Sequence, residues 1–359
     1  MSFTETKRRE IKNYILRKID EDDADLVAKT TDAFGISATS VKRYLDAEVE
    51  DGHITKSEQA DCRYGLVFKR IDYHYDIRSI TEREDYVLYE DILPVLDVND
   101  NAKRIWRYVL PEIFNNALEH SEGKKVEAYL ESCCLYTRIC LTDDGIGIFR
   151  KVTESLKQYG YASPTLENAV TELYKGKFTS DPDNHTGEGI FFSMRLSDRF
   201  SIVSDGMILR SGYLGEPSVI RSHILAYAMK LSKKGTVVIM QLENDTRRDL
   251  SEVFSEYANI DDGFIRTKIP VFEACMDRDP VARSQARRLA ARLTSFTEVV
   301  LDFEKVDIMG QGFADELFRV FAKAHPEVKL TPINMNDFTY KMYLHSIHNK
   351  VVVPVFSNV

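Results

Sequence analysis

The 359-residue chain lacks any apolar run approaching the ~20 residues needed to cross a bilayer. Its first stretch, MSFTETKRREIKNYILRK, is charged and amphipathic and has no signal-peptide core. A cytoplasmic protein with no membrane partner is therefore expected. Cysteine is scarce: Cys62, Cys133, Cys134, Cys140 and Cys275 make an odd count that fits reduced thiols better than a disulfide framework. Cys133, Cys134 and Cys140 are not expected to hold a metal, because adjacent residues on a strand point to opposite faces and no second cluster completes four ligands. Repeats of fixed period are absent. Positive charge is not in excess either, since 48 Lys plus Arg stand against 57 Asp plus Glu, a net of -9, so DNA contact would require a local basic face.

What remains is ordinary for a folded protein. Hydrophobic residues at 43% and charged residues at 29% exclude wholesale disorder and collagen-like structure. At roughly 100–200 residues per domain, the length allows two or three domains. The pattern along the chain predicts a multidomain α/β protein with divisions at 1–70, 71–100, 101–242, 243–264 and 265–359.

Residues 1–70 read as three helices and a hairpin. Ile11, Tyr14, Ile15 and Ile19 form a helical stripe, and the acidic run Asp20 to Asp23 suits the start of a second helix ending near Phe34-Gly35. Ser37 caps a third, with Val41, Tyr44, Leu45 and Val49 as its expected buried stripe, until Gly52 stops it. This order, completed by a hairpin at His53–Ile54 and Tyr64–Phe68, resembles the winged helix-turn-helix family. The resemblance implies DNA binding through the third helix, with Ser37, Thr39, Ser40, Lys42 and Arg43 facing bases and phosphates. Against it stands the domain's balance of 13 Lys plus Arg to 14 Asp plus Glu, which also suits a module that binds protein. The segment 71–100, rich in Tyr, Asp and Glu, reads equally as a strap on the next domain or as a linker.

Residues 101–242 hold three motifs that bear chemistry. Glu112-x-x-x-Asn116 sets a carboxylate and a carboxamide one helical turn apart, as a base and a metal ligand require. Asp143-x-Gly145-x-Gly147 follows two strand-like runs and offers an acceptor for an exocyclic amine beside backbone bare enough for a flat base. Gly187-x-Gly189 opens a helix whose free N–H groups suit phosphates. Each alone also reads as a tight turn or a plain helix face. The polar stretch 151–184 between them reads as mobile.

Together and in order, the motifs resemble the GHKL (Bergerat-fold) ATP-binding domain shared by gyrase, heat-shock 90 chaperones, histidine kinases and mismatch-repair ATPases, over about residues 95–242. The run EIFNNALEHS, with Ala117 and His120, is closest to the anti-sigma-factor serine kinases. The resemblance implies a central α/β sandwich, a largely antiparallel sheet with helices on one face, binding ATP and Mg²⁺. It implies Asn116 as the Mg²⁺ ligand, Asp143 on the adenine amine, Gly145 and Gly147 shaping the adenine pocket, and Gly187 and Gly189 under the phosphates. It also implies Thr236 beside the adenine and Glu112 activating the nucleophile. His185 and Glu188 depart from the family pattern. Lys175, Lys177 and Arg195 are the candidates to meet the γ-phosphate. A phosphohistidine role for His120 is rejected, since no separate His-bearing dimerising helix precedes the domain.

From 265 onward strand and helix alternate, with a basic helix over 280–296 carrying Arg283, Arg287, Arg288 and Arg292. The run VVLDFEKVDIMGQGFADELF resembles the STAS-like fold of anti-sigma-factor antagonists over about 268–350. Its turn, Met309-Gly310-Gln311-Gly312, holds no hydroxyl, so the phosphoswitch of that family is not expected. The whole reads as a Mg²⁺-dependent ATPase switch controlling DNA or a regulatory protein partner, in a bacterial transcriptional or defence-linked setting, with a homodimer expected. The alternatives are a protein serine/threonine kinase or an ATP-binding scaffold without turnover.

Overall fold

The computed structural model describes residues 3–57, 64–80, 84–179, 187–212, 234–259 and 263–348. The chain divides into two compact units, one of residues 1–148, 193–206 and 210–249, the other of 149–192, 207–209 and 250–359. Among the described residues no helix is long and apolar enough to cross a membrane.

In the first unit, α1 (Glu5–Asp20), α2 (Leu26–Phe34) and α3 (Ala38–Glu50) precede an antiparallel hairpin of β1 (Ile54–Lys56) and β2 (Tyr64–Leu66). Local chemistry sets the boundaries. Gly35 ends α2 at a φ of 61°, where a side chain would be strained, and Ser37 caps α3 by accepting the Ser40 N–H. Ile11, Ile15, Leu16, Ile19, Val41 and Leu45 form the core. One expectation is corrected here: Val49 is exposed, while Glu48 is buried. Lys12 at 2.9 Å and His53 at 2.9 Å pair with the Glu48 carboxylate, which makes burial of that charge tolerable.

The rest of this unit is built on a six-stranded sheet of order β3-β4-β5-β8-β6-β7: β3 (Lys69–Asp76), β4 (Lys125–Ser132), β5 (Tyr136–Asp143), β6 (Arg199–Ser204), β7 (Met207–Ser211) and β8 (Thr236–Glu243). The β3–β4, β4–β5, β5–β8 and β6–β8 pairs are antiparallel. The start of the 71–100 segment is thus an edge strand, followed by the short helices α4 (Ile77–Ile80) and α5 (Glu84–Tyr86). The Tyr75 hydroxyl fastens it by donating to Asp91 at 2.8 Å. Helix α6 (Asp100–His120) packs on β5 and β8 through the stripe Ile105, Trp106, Val109, Ile113 and Phe114. Asn99 caps it, and it runs on through Pro111.

Cys133 and Cys134 occupy the turn between β4 and β5 and do not lie on a strand. The expectation that they point to opposite faces of a strand is corrected, since neither stands on one. The turn escapes the alternation of strand faces that the expectation assumed.

In the second unit, the stretch read as mobile contains α7 (Ile148–Ser155) and α8 (Leu166–Lys175). Both are buried through apolar residues, Phe149 and Val152 on α7 and Ala169, Val170 and Leu173 on α8. The residues from 180 to 186, His185 among them, lie outside the described residues. Helix α9 (Gly189–Leu196) starts in this unit. A short pair, β9 (Ala258–Asn259) and β10 (Gly263–Phe264), leads to β11 (Arg266–Pro270), β12 (Glu298–Asp302) and β13 (Lys329–Ile333), a parallel sheet in that order. The expected basic helix is shorter than predicted, Arg283–Ala290, because Ala291 leaves the helical region and Arg292 sits at a φ of 58°. Its Arg283 and Arg287 pair with Asp315 and Glu316, so their charge is largely used at home. Further helices cover 311–324 and Asp337–His348.

Candidate functional site

In the first unit three stretches distant in sequence converge on the end of β5. The Ile146 N–H donates to the Ser121 carbonyl at 2.9 Å, so the loop after β5 is riveted to the end of the helix that carries Glu112 and Asn116. Gly145 is required there: a Cβ on it would stand 2.1 Å from the Ser121 carbonyl oxygen. On the other side, a Cβ on Gly235 would stand 2.0 Å from the Asp143 carbonyl oxygen. The neighbouring Thr236 donates its N–H to Asp143 Oδ1 at 3.3 Å and accepts the Ile148 N–H on its hydroxyl at 3.0 Å. Gly147, at a φ of 95°, abuts the Asp205 carboxylate, where a Cβ would come within 2.5 Å. Glu112, Asn116, Asp143, Gly145, Gly147 and Thr236 thus share one unit and one bonded framework.

Asp143 is the electrostatic focus. It is only 7% exposed, and burial raises its carboxyl to about 6, although the Gly145 and Thr236 N–H groups pull the other way. Near neutral pH it is an ionised, poorly hydrated acceptor, suited to a donor such as an amine. Its neighbour Asp144 faces the opposite task, accepting the Lys124 and Lys125 N–H groups, which helps hold it below the usual carboxylate range. Along α6, the Asn116 Nδ2 donates to the Glu112 carbonyl at 2.6 Å. This bond orients the carboxamide and leaves Oδ1 as its acceptor, an oxygen of the kind that could hold a hard cation.

Gly187 and Gly189 lie in the second unit. Gly187, at a φ of 72°, packs so closely on Phe178 that a Cβ would come within 2.4 Å of its carbonyl oxygen. Gly189 begins α9, and the Glu188 carbonyl accepts the Phe192 N–H at 3.0 Å.

Of the lysines considered for a phosphate, Lys175 is ruled out by its surroundings. It is 0% exposed and donates to Glu172, to the Arg288 carbonyl at 3.0 Å and to the Ala291 carbonyl at 2.6 Å. Glu172 also accepts from Arg292 at 2.7 Å and from the Tyr161 hydroxyl at 2.7 Å. Lys177 donates to the Ser295 carbonyl at 3.1 Å and lies over the Phe264 and Phe296 rings. The Glu172–Lys175–Arg292 knot was not anticipated from the sequence. Its one signal is the Glu-x-x-Lys spacing near the end of a helix.

In the amino-terminal module, Ser37, Thr39, Lys42 and Arg43 are exposed and Ser40 is half-buried at the start of α3. Ser37 and Ser40 are engaged with each other in the cap, their hydroxyls 3.0 Å apart, which leaves Thr39, Lys42 and Arg43 as the outward contacts. In the carboxy-terminal turn, Gly310 is closed to any side chain, since a Cβ would meet the Val281 carbonyl oxygen at 2.3 Å. Packing thus excludes a hydroxyl-bearing side chain at this position of the turn.

No curated protein matches the chain. Residues 285–338 match the family model described as the STAS-like domain of unknown function (DUF4325), so this multidomain α/β protein carries a STAS-like domain in its carboxy-terminal part.

Proposed function

We propose that the central part of the chain binds Mg-ATP and hydrolyses it slowly, and that the nucleotide state controls the binding of DNA or a protein partner. The observation that carries this reading is the framework around Asp143: a buried acceptor, fixed by Gly145 and Thr236 and joined through Ser121 to the helix bearing Glu112 and Asn116. In this proposal Asp143 accepts the exocyclic amine of adenine, and Gly145 and Gly147 shape the pocket by letting the loop pack on Ser121 and Asp205. Asn116 holds Mg²⁺ through Oδ1. Mg²⁺, when bound, neutralises phosphate charge. Glu112 takes the proton from the attacking water.

Phosphate release from Mg-ATP by the full-length protein tests this. Glu112→Ala should abolish release while nucleotide affinity stays within about twofold, as expected when a general base is removed without disturbing binding. Equal release by the variant would remove Glu112 from the reaction. Label appearing on a protein hydroxyl in place of free phosphate would favour the kinase reading.

The DNA part of the proposal rests on α3. Lys42→Ala combined with Arg43→Ala should weaken DNA binding and lower the slope of log affinity against log salt by about 2. An unchanged slope would assign this module to a protein partner.

A further inference from the structure

The amino-terminal module carries a group of donor atoms that neither the nucleotide reading nor the DNA face of α3 uses. It lies where α3 stops and β1 begins. Gly52, at a φ of 73°, turns the chain there. The Gly52 N–H donates to the Val49 carbonyl at 3.1 Å and the His53 N–H to the Glu48 carbonyl at 3.0 Å, the paired closure that ends a helix on a left-handed residue. That closure brings His53 back to the last turn of α3, beside Glu48 within the helix and Asp51 at its cap.

One donor atom from each of Glu48, Asp51 and His53 lies within 4.8 Å of the other two. His53 Nδ1 stands 2.9 Å from Glu48 Oε2 and 3.9 Å from Asp51 Oδ2. The two oxygens of Glu48 divide their work. Oε1 accepts from Lys12 at 2.9 Å, which fixes a carboxylate that is only 3% exposed and leaves Oε2 toward His53. A carboxylate oriented by an outer partner in this way is the arrangement that metal ligands use. With the imidazole neutral, the group carries two negative charges against the single positive charge of Lys12.

We propose that Glu48, Asp51 and His53 form a site for a divalent transition-metal ion of the zinc class, with water in the fourth position, bracing the end of α3 against β1. Zinc bonds to oxygen and imidazole nitrogen run about 2.0–2.2 Å, so two ligands on one tetrahedral ion stand roughly 3.3–3.6 Å apart. The shorter separation must open and the longer one close, each by about half an ångström. Half-buried His53 and exposed Asp51 can turn that far without moving Glu48. On binding, the His53 proton resides on Nε2, and Glu48 Oε2 exchanges its hydrogen bond to Nδ1 for a bond to the ion. An imidazole beside two carboxylates favours such an ion over Mg²⁺, which prefers oxygen alone. The site stands apart from the ATP reading.

The test uses the full-length protein, stripped of metal with a chelator and titrated with Zn²⁺ in millimolar Mg²⁺, the bound zinc being counted after dialysis. His53→Ala and Asp51→Asn should each bind one ion fewer per chain than the wild type, or that ion about tenfold or more weakly. Asp46→Ala, at an exposed carboxylate earlier on α3, should bind as the wild type does. His53 also supports the buried Glu48, so Asp51→Asn is the variant that leaves this support in place. Zn²⁺ should slow amide exchange at the end of α3 and in β1 by about threefold or more in the wild type and in neither ligand variant. Equal zinc uptake by the wild type and both variants, displacement of the ion by Mg²⁺, or exchange that zinc leaves unaltered would overturn the proposal and leave these residues as an ion-paired helix end only.

Discussion

If the central part binds nucleotide as proposed, Gly145→Ala is expected to weaken that binding by about tenfold to a hundredfold. The new Cβ would start 2.1 Å from the Ser121 carbonyl oxygen and 2.7 Å from the Ser121 carbonyl carbon, both backbone atoms that no rotamer change can move. To reach an ordinary contact the loop must retreat by more than an ångström. That displacement breaks the Ile146–Ser121 hydrogen bond and shifts Asp143, whose Oδ1 accepts the Gly145 N–H at 2.9 Å. A hydrogen bond to a charged acceptor is worth about 1.5–3 kcal/mol, roughly tenfold to a hundredfold in affinity, and is lost when Asp143 moves by that much. Overpacking against backbone should also lower stability by about 1–3 kcal/mol. Gly65→Ala is the matched control, since its Cβ would meet only Thr55 Oγ1 at 3.7 Å. Calorimetry with Mg-ATP reads the binding and urea denaturation reads the stability. Wild-type affinity in a folded Gly145→Ala protein would remove this loop from the proposed nucleotide site.

Glu172→Ala should be the most destabilising single change in the second unit, at about 3–5 kcal/mol. Glu172 is 1% exposed and neutralises two cations, Lys175 and Arg292, that water cannot readily reach. Without it, both are left in a poorly hydrated space, and the Tyr161 hydroxyl loses its acceptor as well. Burial already pulls the Lys175 ammonium below its ordinary value, with Glu172 opposing that pull. Lys175→Met should cost less, because Glu172 keeps Arg292 and Tyr161 while the stem is replaced by an apolar one of similar length. Its loss does uncap the helix Arg283–Ala290, whose end carbonyls Lys175 satisfies. Urea titration of each variant measures the difference. A loss below about 1 kcal/mol for Glu172→Ala would mean that water enters and solvates Lys175.

These two residues also mark what the sequence could and could not disclose. The loop around Gly145 was legible, because a strand-like run ending in Asp-x-Gly-x-Gly signals a turn with bare backbone whatever its neighbours. Which backbone it touches was not, since Ser121 and Gly235 are brought to it by tertiary packing. The three amino-terminal helices were legible for a similar local reason: apolar spacing, Ser37 and Gly35 suffice. The face of α3 was misjudged at its end. Val49 continues the apolar spacing, but Lys12 and His53, from other elements, stabilise Glu48 in its place. Lys175 failed in the same manner, a candidate for the γ-phosphate whose carbonyl acceptors lie more than a hundred residues onward. Buried charge is set by partners, and partners distant in the chain leave no periodic trace.

The distance between Lys175 and its carbonyl acceptors has a consequence during synthesis. The Arg288 carbonyl lies 113 residues further along. At a translation rate of about 5–20 residues per second, α8 waits roughly 6–20 s outside the ribosome before its acceptors emerge. Until then the Lys175 ammonium has only Glu172, one turn away on the same helix. The ion pair within α8 therefore shields a charged helix through that interval, and a variant that breaks it should yield less protein from a living cell than its equilibrium stability alone would give.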